Sequence, residues 1–157
     1  MPDQPAAMTL RLPTLSLIFF LATAAHAEGP LAQFDPALSE SMATAIRNAD
    51  LDAGARYFDR KCSQCHDGDR NGENFTGPHL WNVFGRTAGT HTGFRYSAAM
   101  QGVGKIWTYA TLDYYLTDTE RAVPGREMNF VGIDETAERA NLIAYLRTLS
   151  DAPPALP

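Results

Sequence analysis

The chain has 157 residues, 45% of them hydrophobic and 20% charged, a length and balance that suit one globular domain. Its 13 basic and 18 acidic residues give a formal charge of −5. The basic residues form no stripe, which excludes nucleic acid as the natural partner, since phosphate binding needs a concentrated positive surface.

In chain order, the first feature is the mostly apolar run from Leu12 to Ala25, preceded by Arg11 and ending in the small-x-small sequence Ala25-His26-Ala27. It predicts a secretory signal over residues 1–27, cut before Glu28. The run is shorter than the ~20 apolar residues of a spanning helix. An uncleaved anchor is the alternative reading, and Met8 is an alternative start. The leader holds Asp3 and Arg11, so its removal leaves the charge at −5.

Residues 28–50 read as an N-terminal extension. Within it, Ala37 to Ile46 after Pro36 suits a short helix with a weak apolar stripe, expected to pack loosely. Asp50 is a good N-cap for a helix beginning at Leu51. Leu51, Ala55, Phe58 and Cys62 share one face at helical spacing. Gly54 lies on that face although glycine costs about 1 kcal/mol in a helix, so another helix is expected to approach closely there.

Residues 67–93 are rich in Gly, Asn, Asp and Thr and predict a long irregular loop, which suits a compact domain only if it wraps something. Ser97 caps a short turn over Ala98 to Gln101. Thr108 caps a helix over Tyr109 to Thr117, with Leu112, Tyr115 and Leu116 on one face. Pro124-Gly125 marks a turn. Asp134 is expected to cap the last helix, Glu135 to Leu149, whose Leu142, Tyr145, Leu146 and Leu149 follow the i, i+3, i+4, i+7 rule. Residues 151–157 are Pro-rich and read as a loose tail. There is no internal repeat and no convincing strand pair.

The chemistry concentrates in Cys62-Ser63-Gln64-Cys65-His66, which holds the only two cysteines. Cys-x-x-Cys-His is a c-type haem attachment signal. Two thiols one helical turn apart can each add to a vinyl group on one porphyrin edge, and the adjacent imidazole then reaches the iron. Zinc would need further ligands at fixed spacing, and no second pair exists. A thioredoxin-like site would need a strand before the motif, where a helix is predicted. A plain disulfide leaves the histidine as coincidence. Haem of this kind is attached after export to the bacterial periplasm, which agrees with the leader.

A sixth iron ligand has five candidates: Met42, Met100, Met128, His79 and His91. Met100 sits in a short polar helix, and His79 reads as a surface loop residue. Met128 follows the exposed turn Pro124-Gly125-Arg126-Glu127, which can carry a side chain to the iron. Histidine plus methionine raises the reduction potential and suits electron transfer.

The series Thr76-Gly77-Pro78-His79-Leu80, Phe84-Gly85-Arg86, Gly93-Phe94-Arg95-Tyr96, Trp107 and Pro124-Gly125-x-x-Met128 resembles class I cytochrome c, most closely the mitochondrial type and its bacterial cytochrome c2 relatives. The likeness runs from about Asp52 to Leu149, within a domain drawn at residues 51–150. It implies an all-α cytochrome c fold, with three main helices, short helices and long loops wrapped around one covalent haem c. By the same resemblance Cys62 and Cys65 form thioethers, and His66 and Met128 bind iron. The Pro78 carbonyl accepts from His66, while Tyr96 and Trp107 bond a propionate whose charge Arg86 offsets. Tyr115 lies near the Met128 sulfur, and Leu80, Leu116, Phe130 and Leu146 line the pocket. Gly54 and Phe58 meet Leu142 and Tyr145 where the first and last helices cross.

The departures lie among the charges. Lys61 is kept, but Glu120 and Glu127 stand where the family usually has lysine, Arg121 keeps a positive charge, and Arg126 replaces a usual threonine. The expected function is single-electron transfer between redox proteins of a respiratory chain, by a monomeric carrier that is not an enzyme. A dedicated electron-accepting subunit of a periplasmic dehydrogenase is the alternative, with residues 28–50 as its docking device. A haem ligand binder or peroxidase-like protein is the third reading, disfavoured by the Pro-Gly-x-x-Met turn.

Overall fold

A computed structural model describes residues 29–157, so the predicted leader lies outside the described residues. Among the described residues six helices occur in chain order: α1 (Glu40–Arg47), α2 (Leu51–Lys61), α3 (Ala98–Gln101), α4 (Tyr109–Thr117), α5 (Thr119–Ala122) and α6 (Thr136–Thr148). Among the described residues there is no strand, only two isolated bridges, His66 with Asn74 and Thr87 with Ile106. The fold is all-α, and residues 67–93 form the expected irregular loop.

Local chemistry places most helix starts. The side chains of Asp50, Ser97 and Thr108 accept from backbone N–H groups in the first turns of α2, α3 and α4. Thr108 and Thr111 also exchange reciprocal bonds in a capping box. Asp118 caps the four-residue α5 in the same way, a helix absent from the sequence expectations. α6 departs from expectation: its N-cap is Glu135, not Asp134, and no side chain caps it. The buried Arg139 instead ties this end down, its Nη1 donating to the carbonyls of Ile133 and Asp134 and its Nε meeting Asp113 at 2.6 Å.

α6 is the central element, packed against α1, α2 and α4. Leu142 and Leu146 are buried as their spacing predicts, and so are Ala140, Ile143 and Ala144. A helix enclosed on several sides loses the single apolar stripe that marks an amphipathic one. At the α2–α6 crossing, a Cβ on Gly54 would lie 2.1 Å from the backbone oxygen of Asn141. The rings of Phe58 and Tyr145 pack at 5.5 Å in the same crossing. Gly54 therefore meets Asn141 and Tyr145, and only a residue without a Cβ allows the contact.

Two terminal segments differ from expectation. α1 starts at Glu40, capped by Ser39, and buries Met42, Ala43 and Ile46, so this helix is not loosely held. Earlier still, Leu31 is 0% exposed. The tail after Ser150 is not loose either. Its carbonyls at Pro154, Ala155 and Pro157 accept from Arg147, Tyr109 and Arg47, while Asp151 pairs with Arg70 at 2.8 Å. Proline keeps a segment extended, and an extended chain presents carbonyls to donors across a surface.

Candidate haem-binding site

The polypeptide encloses a mostly apolar cavity of about 410 Å³ between the end of α2, the long loop, α4, α6 and the Met128 turn. Cys62, Cys65, His66, Pro78, Leu80, Arg86, Tyr96, Trp107, Tyr115, Leu116, Met128, Phe130 and Leu146 all line it. Residues far apart in sequence thus meet around one space.

The thiol end follows from helix geometry. Beyond Lys61 the backbone continues turning, with Cys65 and His66 N–H groups donating to the Cys62 carbonyl at 3.0 and 2.9 Å. Both cysteine side chains are half-buried beside the cavity. No three His, Cys, Asp or Glu side chains cluster as metal-ion ligands among the described residues.

His66 Nδ1 lies 2.7 Å from the Pro78 carbonyl, which can only accept, so this nitrogen carries the proton. That leaves Nε2 with its lone pair free for a metal. Burial holds the imidazole below the usual pKa of 6.5 against the Pro78 bond, with Arg86 adding to the lowering. The neutral form is the one iron binds. A Cβ at Gly77 would sit 2.4 Å from the ring, so glycine here gives the imidazole its room.

Among the candidate sixth ligands, Met42 is buried in α1, and His79 and His91 lie outside the cavity lining. His79 is not a surface residue: it is 8% exposed, and its Nε2 lies 2.5 Å from the Asp69 carbonyl. Met100 and Met128 both line the cavity. Of these two sulfurs, only that of Met128 has a polar partner among the described residues, the Tyr115 hydroxyl, which donates to it at 3.6 Å. Burial pushes the Tyr115 phenol up to about 12, against an opposing pull from Arg126, so it remains a donor.

Haem can be tested against one unsatisfied group. Arg86 donates through Nη1 to the His79 carbonyl at 3.0 Å and to His91 Nδ1 at 2.5 Å. Its Nη2 is buried in the cavity wall with no partner among the described residues. A buried guanidinium N–H without an acceptor is costly. A carboxylate entering beside Arg86 and Tyr96 would satisfy it through a charge-assisted bond. The donor set, the two thiols and the apolar volume therefore fit a porphyrin that carries propionates.

His91 makes this corner pH-sensitive. Its Nδ1 accepts from Arg86 and must be unprotonated there. Partial burial, then the charges of Arg86 and His79, hold its pKa below the usual 6.5. As pH falls below 6.5 the unfolded chain takes up this proton first, so a contribution complete above that value is lost until the folded pKa is passed. Urea midpoints measured on either side of pH 6.5 are expected to show a shallower pH dependence in His91→Gln than in the parent. An unchanged slope would place the pH dependence elsewhere.

Several wall residues escaped the sequence reading. Leu112 and Leu142 line the cavity one turn before Leu116 and Leu146, where the helical stripe already pointed. Phe94 lies in the quoted Gly-Phe-Arg-Tyr run. Met100, weighed above only as a candidate ligand, lies in the wall on the short α3. Arg126 also lines the cavity, donating to Thr119 Oγ1 and the Phe130 carbonyl and pairing with the Glu120 carboxylate.

The chain resembles known proteins over this same stretch. Residues 51–150 match the cytochrome c family model. Over 100 residues the chain is 48% identical to a cytochrome c-type cyt cy of Rhodobacter capsulatus, covering 64% of this chain and 49% of that protein. It is 38% identical over 122 residues to a cytochrome c homolog of Bradyrhizobium diazoefficiens, covering 77% of this chain and 66% of the relative. A Chlamydomonas reinhardtii cytochrome c is 42% identical over 98 residues, 62% of this chain and 88% of that one. The chain thus spans about half the length of the first relative and just under two thirds of the second. Because the matched stretch opens at α2 and closes just beyond α6, enclosing every wall of the cavity, this chain belongs to the cytochrome c family and its cofactor is covalent haem c.

Proposed function

We propose that the protein is a periplasmic carrier of single electrons, with iron held between His66 Nε2 and Met128 Sδ. The observation that carries this reading is that both side chains line one cavity and each is fixed by a hydrogen bond, His66 to Pro78 and Met128 from Tyr115. When bound, the haem supplies a one-electron iron couple; the chain supplies orientation and an apolar wall. A filled sixth position leaves no site for a substrate, so the protein is read as a non-enzyme.

The predicted leader and the attachment chemistry support periplasmic delivery. No described helix is long and apolar enough to cross a membrane. The partners proposed are redox proteins, met by a monomer. Glu120 is 62% exposed and paired to Arg126, which leaves a mixed charge beside Met128 rather than a field of lysines. Electron exchange is therefore expected with neutral or basic partners. A steep salt-induced fall in electron-transfer rate with an acidic partner would contradict this, because such a fall marks attraction to a positive face. The packed extension suits attachment to one dehydrogenase as well as free diffusion, and co-purification separates the two.

Potentiometric titration of the haem-loaded protein tests the main reading. It should give one Nernstian step with a single electron, and the ferrous form should resist carbon monoxide. Rapid carbon monoxide binding with a high-spin spectrum would instead mark an open iron and a ligand-binding protein.

A further inference from the structure

Residues 29–35 pack on the part of the chain that delivers Met128. The Leu31 N–H donates to the Ala122 carbonyl at 2.8 Å, and the Leu31 side chain is 0% exposed. Two residues earlier, the Gly29 carbonyl accepts from the Tyr114 hydroxyl at 2.6 Å. Phe34 packs on the Tyr114 ring at 5.0 Å, and Asp35 closes on Lys105 at 2.5 Å. Pro30 and Ala32 face Val123 and Pro124 across a small cleft that also touches Ala99 of α3. Ala122 ends α5 and immediately precedes the Val123-Pro124-Gly125 turn. Tyr114 neighbours Tyr115, the residue bonded to the Met128 sulfur.

These contacts join a segment outside the family match to both supports of the thioether. We propose that residues 29–35 are a latch on the Met128 turn, and that Leu31 is a positioning residue for the iron's sulfur ligand. The proposal rests on the assignment of Met128 as that ligand. To expose the sixth position, the turn must move away from the cavity, and the chain from Ala122 onward must move with it. Contacts made only while the turn is closed lower the population of the opened form. The latch therefore resists displacement of the sulfur without touching the cavity.

Imidazole is a suitable probe, since it binds ferric haem only where the thioether has left. Its affinity for the full, haem-loaded chain is compared between the parent, Leu31→Ala, Tyr114→Phe and Ile46→Ala. Ile46 is a buried residue of the same extension, but it lies in α1, which packs on α6. Leu31→Ala should raise imidazole affinity roughly fivefold or more, the low end of coupling between two sites. Amide exchange at Val123 and Arg126 should quicken with it. Ile46→Ala should lower the unfolding midpoint yet leave imidazole affinity near the parent value. If both variants raise affinity in proportion to lost global stability, or neither does, the latch is overturned. Should Leu31→Ala fail to load haem, Tyr114→Phe removes the hydroxyl that bonds the Gly29 carbonyl and must still raise affinity. Met128→Ala separates the two claims. A large rise there with none in Leu31→Ala overturns the latch alone, and no rise in Met128→Ala overturns the ligand assignment and the latch together.

Discussion

Met128→Ala is expected to turn a low-spin spectrum high-spin and to lower the reduction potential by roughly 0.2 V, a fraction of the about 0.8 V that axial ligands span. Two consequences of losing the thioether act together. On the proposed ligation, the neutral sulfur would favour ferrous over ferric iron, so its removal would let the ferric form gain. Its loss would also free the Tyr115 hydroxyl, which donates to the sulfur at 3.6 Å. Met100→Ala is the decisive comparison, because Met100 is the other thioether in the cavity wall. It should leave the spin state unchanged, with an effect confined to packing. A ferrous spectrum of each variant, with a redox titration, reads both quantities. An unaltered Met128→Ala spectrum, or a high-spin Met100→Ala, would move the sixth ligand and remove the basis for the proposed carrier.

The largest stability effect is expected at Gly54. Helix propensity alone predicts that Gly54→Ala gains about 1 kcal/mol. The tertiary contact reverses the sign. The new Cβ would lie 2.1 Å from the Asn141 oxygen and 2.8 Å from both the Asn141 carbonyl carbon and Tyr145 Cβ. Backbone atoms of a packed helix have no rotamer by which to retreat, so α2 and α6 must separate. Separation loosens the Phe58–Tyr145 contact and the bond from the Asp50 N–H to Asn141 Oδ1. The net loss is expected at about 3–4 kcal/mol, at or above the upper end of ordinary overpacking. Urea unfolding of the haem-loaded protein measures it. A variant as stable as the parent would mean that the crossing is wider than described.

How much was legible follows from the range of each signal. Asp50, Ser97 and Thr108 were readable as caps because a cap contacts backbone three residues away. Gly54 was readable because a glycine on an apolar helical face calls for a close neighbour, although the partner atoms belong to Asn141 and Tyr145. The start of α6 was misread by one residue: Asp134 has cap chemistry, but Arg139 holds that end through backbone carbonyls and Asp113. Ala140, Ile143 and Ala144 were missed as core because a helix enclosed on several sides has no single stripe to find.

The cofactor and its attachment were legible without any structure, since Cys-x-x-Cys-His is complete within five consecutive residues and its chemistry depends only on their order. The sequence also determined that a proline–glycine turn precedes Met128. Only the packed chain shows that Arg86 Nη2 is buried without a partner among the described residues, that Met100 shares the wall with Met128, and that both terminal segments are held. The bond from Tyr114 to Gly29 spans 85 positions and that from Arg47 to Pro157 spans 110. Contacts across such separations arise when distant surfaces pack together, and no local run of residue types carries their address.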